Sequence, residues 1–287
     1  MLVGGVGYPF FGWLAFLTPY LIFCMLLITF CRLSFREIRF ERLYLGMLAI
    51  QVVGCLLAYG LFYSFSPLLG EGALICILAP TAMAAAVITG MLGGNVAFTA
   101  TYTLFSNLSI ALFAPLFFSV IGTHSDLPFA NSFVLIGRQV IPLLVIPLLG
   151  AFALERFLPG WHRKIKDYQH LTFYMWTLGL AMVSGKTVSF VIEQGSQSLS
   201  VEIGLAAAAL VICILQFVLG RYLGRRYGDT VATGQALGQK NTVLAIWMAQ
   251  VYLHPLAAIA PAAYVLWQNS INSWQLWREG VKNKITD

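Results

Sequence analysis

Charged side chains are the scarcest class in this sequence. They make up 10% of its 287 residues, against 59% hydrophobic ones, whereas soluble globular chains carry about 25% charged and about 45–50% apolar residues. That excludes a soluble domain and points to a polytopic helical membrane protein. Alternating apolar–polar strand patterns are also missing, and the apolar runs approach about 20 residues, which argues against a β-barrel. No basic segment precedes the first apolar run and no small-residue cleavage site follows it, so no cleaved signal peptide is expected. The cysteines are few and odd in number: Cys24, Cys31, Cys55, Cys76 and Cys213 all fall in apolar runs and read as small buried hydrophobes, not as a disulfide framework.

Catalytic signatures are equally sparse. His124, His162, His170 and His254 lie in expected loops or at helix ends, and no His/Asp/Glu cluster has metal-ligand spacing. No span carries the acidic pair that a membrane prenyl or phosphoryl transferase uses to hold magnesium. Neither a G-x-S-x-G turn nor a P-loop is present. A membrane enzyme is therefore the poorer class, and no cofactor is expected.

The sequence does contain a regular series of apolar spans. Residues 1–33 hold about one and a half spans, with Gly4, Gly5, Gly7 and Pro9 marking a break. The expected layout is a stub followed by a full helix near 13–33, so the first helix is shortened, natively or because the chain starts late. Further spans are expected at 43–65, 73–93, 95–120, 133–157, 169–192, 201–224, 230–252 and 256–277. Turn residues punctuate them at 66–67, 70, 122–128, 159–160, 195–196 and 254–255.

The net charge of +6 is explained by orientation in a bilayer, not by nucleic acid. Arg138, Lys186 and Lys240 lie within spans. The other basic residues cluster at Arg32, Arg36, Arg39 and Arg42; at Arg156, Arg163, Lys164 and Lys166; at Arg221, Arg225 and Arg226; and at Arg278, Lys282 and Lys284. Counted through the spans, all four clusters fall on one side, and the opposite loops carry Glu71, Asp126, Glu193 and Glu202. By the positive-inside rule this predicts a multi-pass protein of the cell (inner) membrane with a cytoplasmic C-terminus.

Two spans are unusual. One contains Pro80, Thr81, Thr89, Gly90, Gly93 and Gly94; the other contains Gly234, Gly238, Lys240 and Asn241. With the stub counted first, each is fourth in a set of five. Five is odd, so a second copy of such a set inserts upside down, and paired broken helices in corresponding positions point to a transporter's binding site. The expected units are repeat one at 1–122, repeat two at 131–278 and a cytoplasmic tail at 279–287, together one transmembrane domain.

Residues 234–250 stand out further. Lys240 has no acidic residue within ten positions on either side, and a mid-membrane lysine costs about 2.5–3.5 kcal/mol on insertion scales. Gly238, Gln239, Lys240 and Asn241 are predicted to break a membrane helix. A broken helix exposes N–H groups that favour anions on one half and carbonyls that favour cations on the other.

The run at 80–98, ending Gly94-Asn95-Val96-Ala97, resembles the fourth-helix crossover of the bile acid:sodium symporter family, within the bile acid/anion/arsenite transporter superfamily. Gly238-Gln239-Lys240-Asn241-Thr242 before an apolar helix is similar to its ninth-helix crossover, and Trp267-Gln268-Asn269-Ser270 to its last span. The resemblance covers nearly the whole chain from about residue 13. It implies an all-α, ten-helix-type fold of two inverted five-helix repeats with crossing broken helices, arranged as a panel and a core domain. It also implies secondary transport by alternating access of an organic anion such as a bile acid, pantoate or another carboxylate. The implied partners are a small organic anion and the lipid bilayer. Asn241, Thr242, Gln268, Asn269 and Thr81 are the implied substrate-binding residues.

In sodium-coupled members of the family, matching places a Ser-Asn pair where this chain has Ala85 and Ala86. A sodium-binding glutamate falls on Ala236 and a glutamine on Lys240. Thr99, Thr103, Gln51 and Asn241 keep family ligand types, and Gln239 adjoins the altered position. An ammonium carries sodium's charge and donates three hydrogen bonds. Lys240 is therefore expected to replace a sodium ion, so that transport is not sodium-coupled. Two versions stay open: a fixed counter-ion, or proton coupling through loss of the lysine proton during the cycle. The alternative is a sodium:organic anion symporter with altered ligands. A related arsenite efflux group uses a cysteine near the fourth-helix break. Here that place holds Pro80, Thr81 and Ala82, with Cys76 a turn earlier, which disfavours a metalloid.

Arg138 and Lys186 read as cavity-lining or snorkelling cations. Asn269 and Asn272 share a helical face beside the crossing, and Ser106 and Asn107 offer similar polar groups on the fifth helix.

Overall fold

The computed structural model describes residues 1–33, 38, 40–122, 127–194 and 199–286, without the side chains of 169, 194 and 282–286. Of the expected charges and turns, Arg36, Arg39, Asp126, His124 and the 195–196 turn lie outside the described residues, as do the side chains of Lys282 and Lys284.

The chain is an all-α polytopic membrane protein. Among the described residues, six helices are long and apolar enough to cross a bilayer, and two shorter apolar ones accompany them. The first span differs from the expected 13–33. After a short α1 (Leu2–Val6), it runs through α2 (Tyr8–Trp13), a 3-10 turn (Leu14–Leu17) and α3 (Thr18–Phe30), so that Tyr8–Phe30 forms one 23-residue crossing. Pro9 does not break it. Pro9 and Pro19 both sit in the first turn of a helix, where the missing N–H has no intrahelical partner to lose. The actual break is at Gly7, the cap between α1 and α2.

There follow α4 (Arg42–Tyr63), α5 (Pro67–Leu78), α6 (Ala84–Met91), α7 (Val96–Ile121), α8 (Phe129–Phe157), α9 (Pro159–Asp167), α10 (Gln169–Gln194), α11 (Leu199–Tyr227), α12 (Thr230–Gly238), α13 (Thr242–Tyr252) and α14 (Ile259–Thr286). The expected turn at 159–160 instead opens α9, since Pro159 at its first position is preorganised for a helix start.

The helices α1, α2 and α3 pack with α10, and α8 packs with α3, while α4–α7 and α11–α14 pack around the two interrupted helices. Contacts of α7 with α8 and of α13 with α3 and α10 join the groups. Close approach is set by small residues. A Cβ on Gly4 would stand 2.2 Å from the Ala181 carbonyl oxygen, which ties α1 to α10. All five cysteines are free; Cys24 is exposed, unlike the buried position expected of it, because it faces outward from α3, and the other four are buried.

Candidate functional site

Both unusual spans are broken where the sequence placed the breaks. α5 ends at Leu78 and α6 begins at Ala84; α12 ends at Gly238 and α13 begins at Thr242. The two irregular segments cross and pair. The Ala82 N–H donates to the Gln239 carbonyl at 2.9 Å, and the Asn241 N–H donates to the Pro80 carbonyl at 2.8 Å. Thr81 and Lys240 thereby form an isolated antiparallel bridge, with no strand among the described residues. Each break supplies backbone groups that the other lacks, which is how irregular backbone survives inside a bilayer.

Side chains complete the pairing. Gln51 on α4 donates its amide to the carbonyls of Ile77, Leu78 and Ala79 at 3.2, 3.1 and 3.0 Å. Its oxygen accepts from Tyr102 and Ser106 on α7, both at 3.3 Å. Ser106 also accepts from the Thr81 N–H at 3.1 Å. On the other break, the Lys240 N–H donates to Gln268 Oε1 at 2.9 Å, and the Tyr264 hydroxyl donates to the Gly238 carbonyl at 2.7 Å. The Thr81 hydroxyl donates to the Ala236 carbonyl at 2.6 Å, and the Lys240 ammonium donates to the Ile77 carbonyl at 3.1 Å. Lys240 is only 1% exposed. Its Nζ lies on the last turn of α5, the negative end of that helix dipole, which favours a positive charge there.

The ends of the interrupted helices are pinned by carboxylates. At one end of the bundle, Asp229 caps α12 through the Ala232 N–H at 2.7 Å and accepts from the Asn95 N–H at 2.7 Å. At the other, Glu71 on α5 accepts from the His254 N–H at 2.7 Å. Asn95 and Asn241 cap α7 and α13 by accepting from Phe98 and Leu244 N–H groups at 3.0 and 3.3 Å.

A cavity of about 440 Å³ opens beside the crossing. One wall is Ala82, Met83, Ala84, Gln239, Lys240, Asn241, Gln268 and Asn269. The other comes from α3 (Met25, Leu26, Thr29) with Arg32, and from α10 (Thr172, Phe173, Trp176). The α6 and α13 N-termini both begin at the crossing, so the positive ends of two helix dipoles meet there. The Thr172 hydroxyl is buried without a hydrogen-bond partner. The arrangement suits a mostly apolar ligand with an anionic group directed at the crossing.

Of the residues singled out from sequence, Thr81, Gln239, Lys240, Asn241, Gln268 and Gln51 converge. Thr81 is buried, with its hydroxyl committed to Ala236, and lies behind the cavity wall. Thr242 is buried in the first turn of α13, and its hydroxyl has no partner. Asn269 lines the cavity, whereas Asn272 turns into a buried amide network with Gln239 and Gln235. Thr99 and Thr103 stand apart on α7: Thr99 contacts the Thr89 hydroxyl at 3.1 Å, and Thr103 donates to the Thr99 carbonyl at 2.8 Å. Arg138 is exposed. Lys186 lies over the Phe190 ring at 5.7 Å, and neither borders the cavity.

The α3–α10 wall is absent from the residues that the sequence singles out. Arg32 belongs to a basic cluster that marks orientation, yet Met25, Thr29 and Arg32 repeat at helical spacing, as do Thr172 or Phe173 and Trp176. That spacing is the signal that could have found them.

No family model matches this chain. Over 250 residues it is 21% identical to YocS of Bacillus subtilis (strain 168), described as an uncharacterized sodium-dependent transporter; the alignment covers 84% of this chain and 74% of that protein.

Proposed function

We propose that this chain is a secondary transporter moving an organic anion, a carboxylate with an apolar body, by alternating access around the crossing. In this reading residues 1–122 and 131–278 are inverted repeats, 279–287 is a cytoplasmic tail, and α1–α3, α8 and α10 form the panel against which the core rocks. Two relations support the repeat. Asn95 lies as far past Thr81 as His254 lies past Lys240, and Glu71 and Asp229 precede the two bridge residues by nearly equal intervals. Asn241, Gln268 and Asn269 hold the anion, with Thr81 and Thr242 shaping the crossing behind them.

Transport in this reading is not sodium-coupled. The observation that carries it is the Lys240 ammonium, buried against the Ile77 carbonyl. A sodium ion at the family-matched positions would need oxygen donors. Ala85, Ala86 and Ala236 offer methyl groups, and the Thr99 and Thr103 hydroxyls reach backbone carbonyls instead. The donor set does not fit sodium, and Lys240 supplies the charge covalently, as a fixed counter-ion or as a group that exchanges its proton during the cycle. A second reading, a sodium:organic anion symporter with altered ligands, is favoured by the description of YocS as sodium-dependent.

Thermal unfolding of the detergent-purified protein in sodium chloride against choline chloride separates the two, because a ligand that binds only the folded state raises apparent stability. Wild type should ignore sodium, and Lys240→Gln should gain a sodium response. Stabilisation of the wild type by sodium would overturn the replaced-ion reading and leave the symporter. Carboxylate uptake into proteoliposomes, with and without a proton gradient, then tests the transport assignment itself.

A further inference from the structure

Between α8 and α10 the chain forms α9, with sequence Pro-Gly-Trp-His-Arg-Lys-Ile-Lys-Asp. Ile165 packs against the main core, and α9 touches α3, α8 and α10. Its other faces carry Trp161, Arg163, Lys164 and Lys166, all exposed, and Arg156 is exposed on the last turn of α8. The Lys164 ammonium lies 5.2 Å from the Trp161 ring centre. Phe157, Leu158, Trp161 and Tyr168 are 75, 52, 61 and 58% exposed, so aromatic and aliphatic groups surround the cations. The neighbouring acids are Asp167 and the half-buried Glu155. A short helix with this make-up, joining two membrane-crossing helices, lies at the bilayer surface with its apolar residues among the acyl chains and its cations at headgroup level.

We propose that α9 is a docking surface for the headgroups of anionic phospholipids, and that bound lipid positions the α3–α10 wall of the cavity. The connection to the wall is direct. α9 passes through Tyr168 into α10, whose Thr172, Phe173 and Trp176 line the cavity within its first two turns, and α9 also touches α3, which carries Met25, Leu26 and Thr29. A phosphate held by Arg163, Lys164 and Lys166 anchors this corner to the membrane surface, while the crossing is held by its own internal bonds. The proposal needs the membrane location alone, so it stands or falls independently of the transported substrate.

The test uses the full chain in nanodiscs of phosphatidylcholine with and without phosphatidylglycerol, with thermal unfolding and lipid retention in native mass spectrometry as readouts. Phosphatidylglycerol should raise the unfolding temperature of the wild type and be retained on it, and added salt should weaken both effects. In phosphatidylcholine alone the triple variant R163Q/K164Q/K166Q should unfold like wild type, which shows it folded. Its retention of phosphatidylglycerol should fall by about fivefold per charge, roughly a hundredfold for three at low salt. Should the triple variant fail to fold, Lys164→Gln alone should still lower retention about fivefold. Indifference of the wild type to phosphatidylglycerol, an unchanged response in the folded variants, or an equal shift from inorganic phosphate in phosphatidylcholine discs would each overturn the proposal.

Discussion

At the first break, Thr81 sends its hydroxyl to the carbonyl of Ala236, four residues before its bridge partner Lys240. At the second, Lys240 sends its ammonium to the carbonyl of Ile77, four residues before Thr81. Both helix ends are thus capped from across the crossing by the same register. One cap is a neutral hydroxyl and the other a buried cation. The backbone requirement is the same on both sides, since a helix end inside a bilayer needs its carbonyls satisfied. Charge is not required to meet it, as Thr81 demonstrates. The contrast between the two breaks is what singles the lysine out, and the proposed ion-replacing role is one that capping alone does not call for.

That contrast can be broken first at the packing. Gly238 stands two residues before Lys240, as Ala79 does before Thr81, yet a Cβ on Gly238 would meet the Phe217 ring at 2.4 Å. Gly238→Ala should cost about 2–3 kcal/mol, whereas Ala79→Gly should cost about 0.5–1 kcal/mol. Thermal unfolding in a fixed detergent reads both, and equal losses would mean that the α11–α12 contact is looser than described.

The supporting amides come next. Gln51 serves three carbonyls of the first break, while Gln268 meets the second through the Lys240 N–H and, at 3.4 Å, the Lys240 carbonyl. Gln51→Leu should destabilise by about 2–3 kcal/mol and Gln268→Leu by about 1–2 kcal/mol. The reverse order would show that the second break carries the crossing.

The carboxylate pins offer a milder comparison. Asp229 accepts from two backbone N–H groups and Glu71 from one. Asp229→Ala should lose about 1–2 kcal/mol and Glu71→Ala about 0.5–1 kcal/mol. Hydrogen exchange at Asn95 and His254 should rise in the respective variants, and exchange that stays at the wild-type level would place the restraint elsewhere.

The smallest net effect is expected at the bridge itself. Thr81→Val leaves the Ala236 carbonyl unmet and should cost about 1 kcal/mol. Lys240→Met removes a hydrogen bond but also a buried charge, so the two terms offset to within about 1 kcal/mol, in either direction. A large loss in Lys240→Met would make the lysine a structural strut.

Much of this architecture was legible along the chain. Pro80, Gly238 and Lys240 are local misfits in apolar helices, so the breaks could be placed from residue type alone. Pro9 misled because the same residue breaks a helix interior and begins a helix, and which applies depends on whether its neighbours upstream are helical. The Arg32 and Trp176 wall is harder to read, because a helix facing a cavity and a helix facing lipid have the same composition, and the helical spacing of Thr29 with Arg32 and of Thr172 with Trp176 is its one sign.

Hydrophobicity and the positions of helix-breaking and charged residues are one-dimensional properties, and the sequence alone determined the membrane class, the places of most spans and the two interruptions. Only the tertiary structure decided that Thr81 and Lys240, far apart in the chain, exchange caps, that Gln51 and Gln268 straddle the breaks, and that α3 and α10 close the cavity. An interrupted helix states how many backbone groups lack partners, but not which side chains from other helices will satisfy them. That choice is made when the bundle packs, because without water in the bilayer core each orphan N–H and carbonyl must find its partner in the protein.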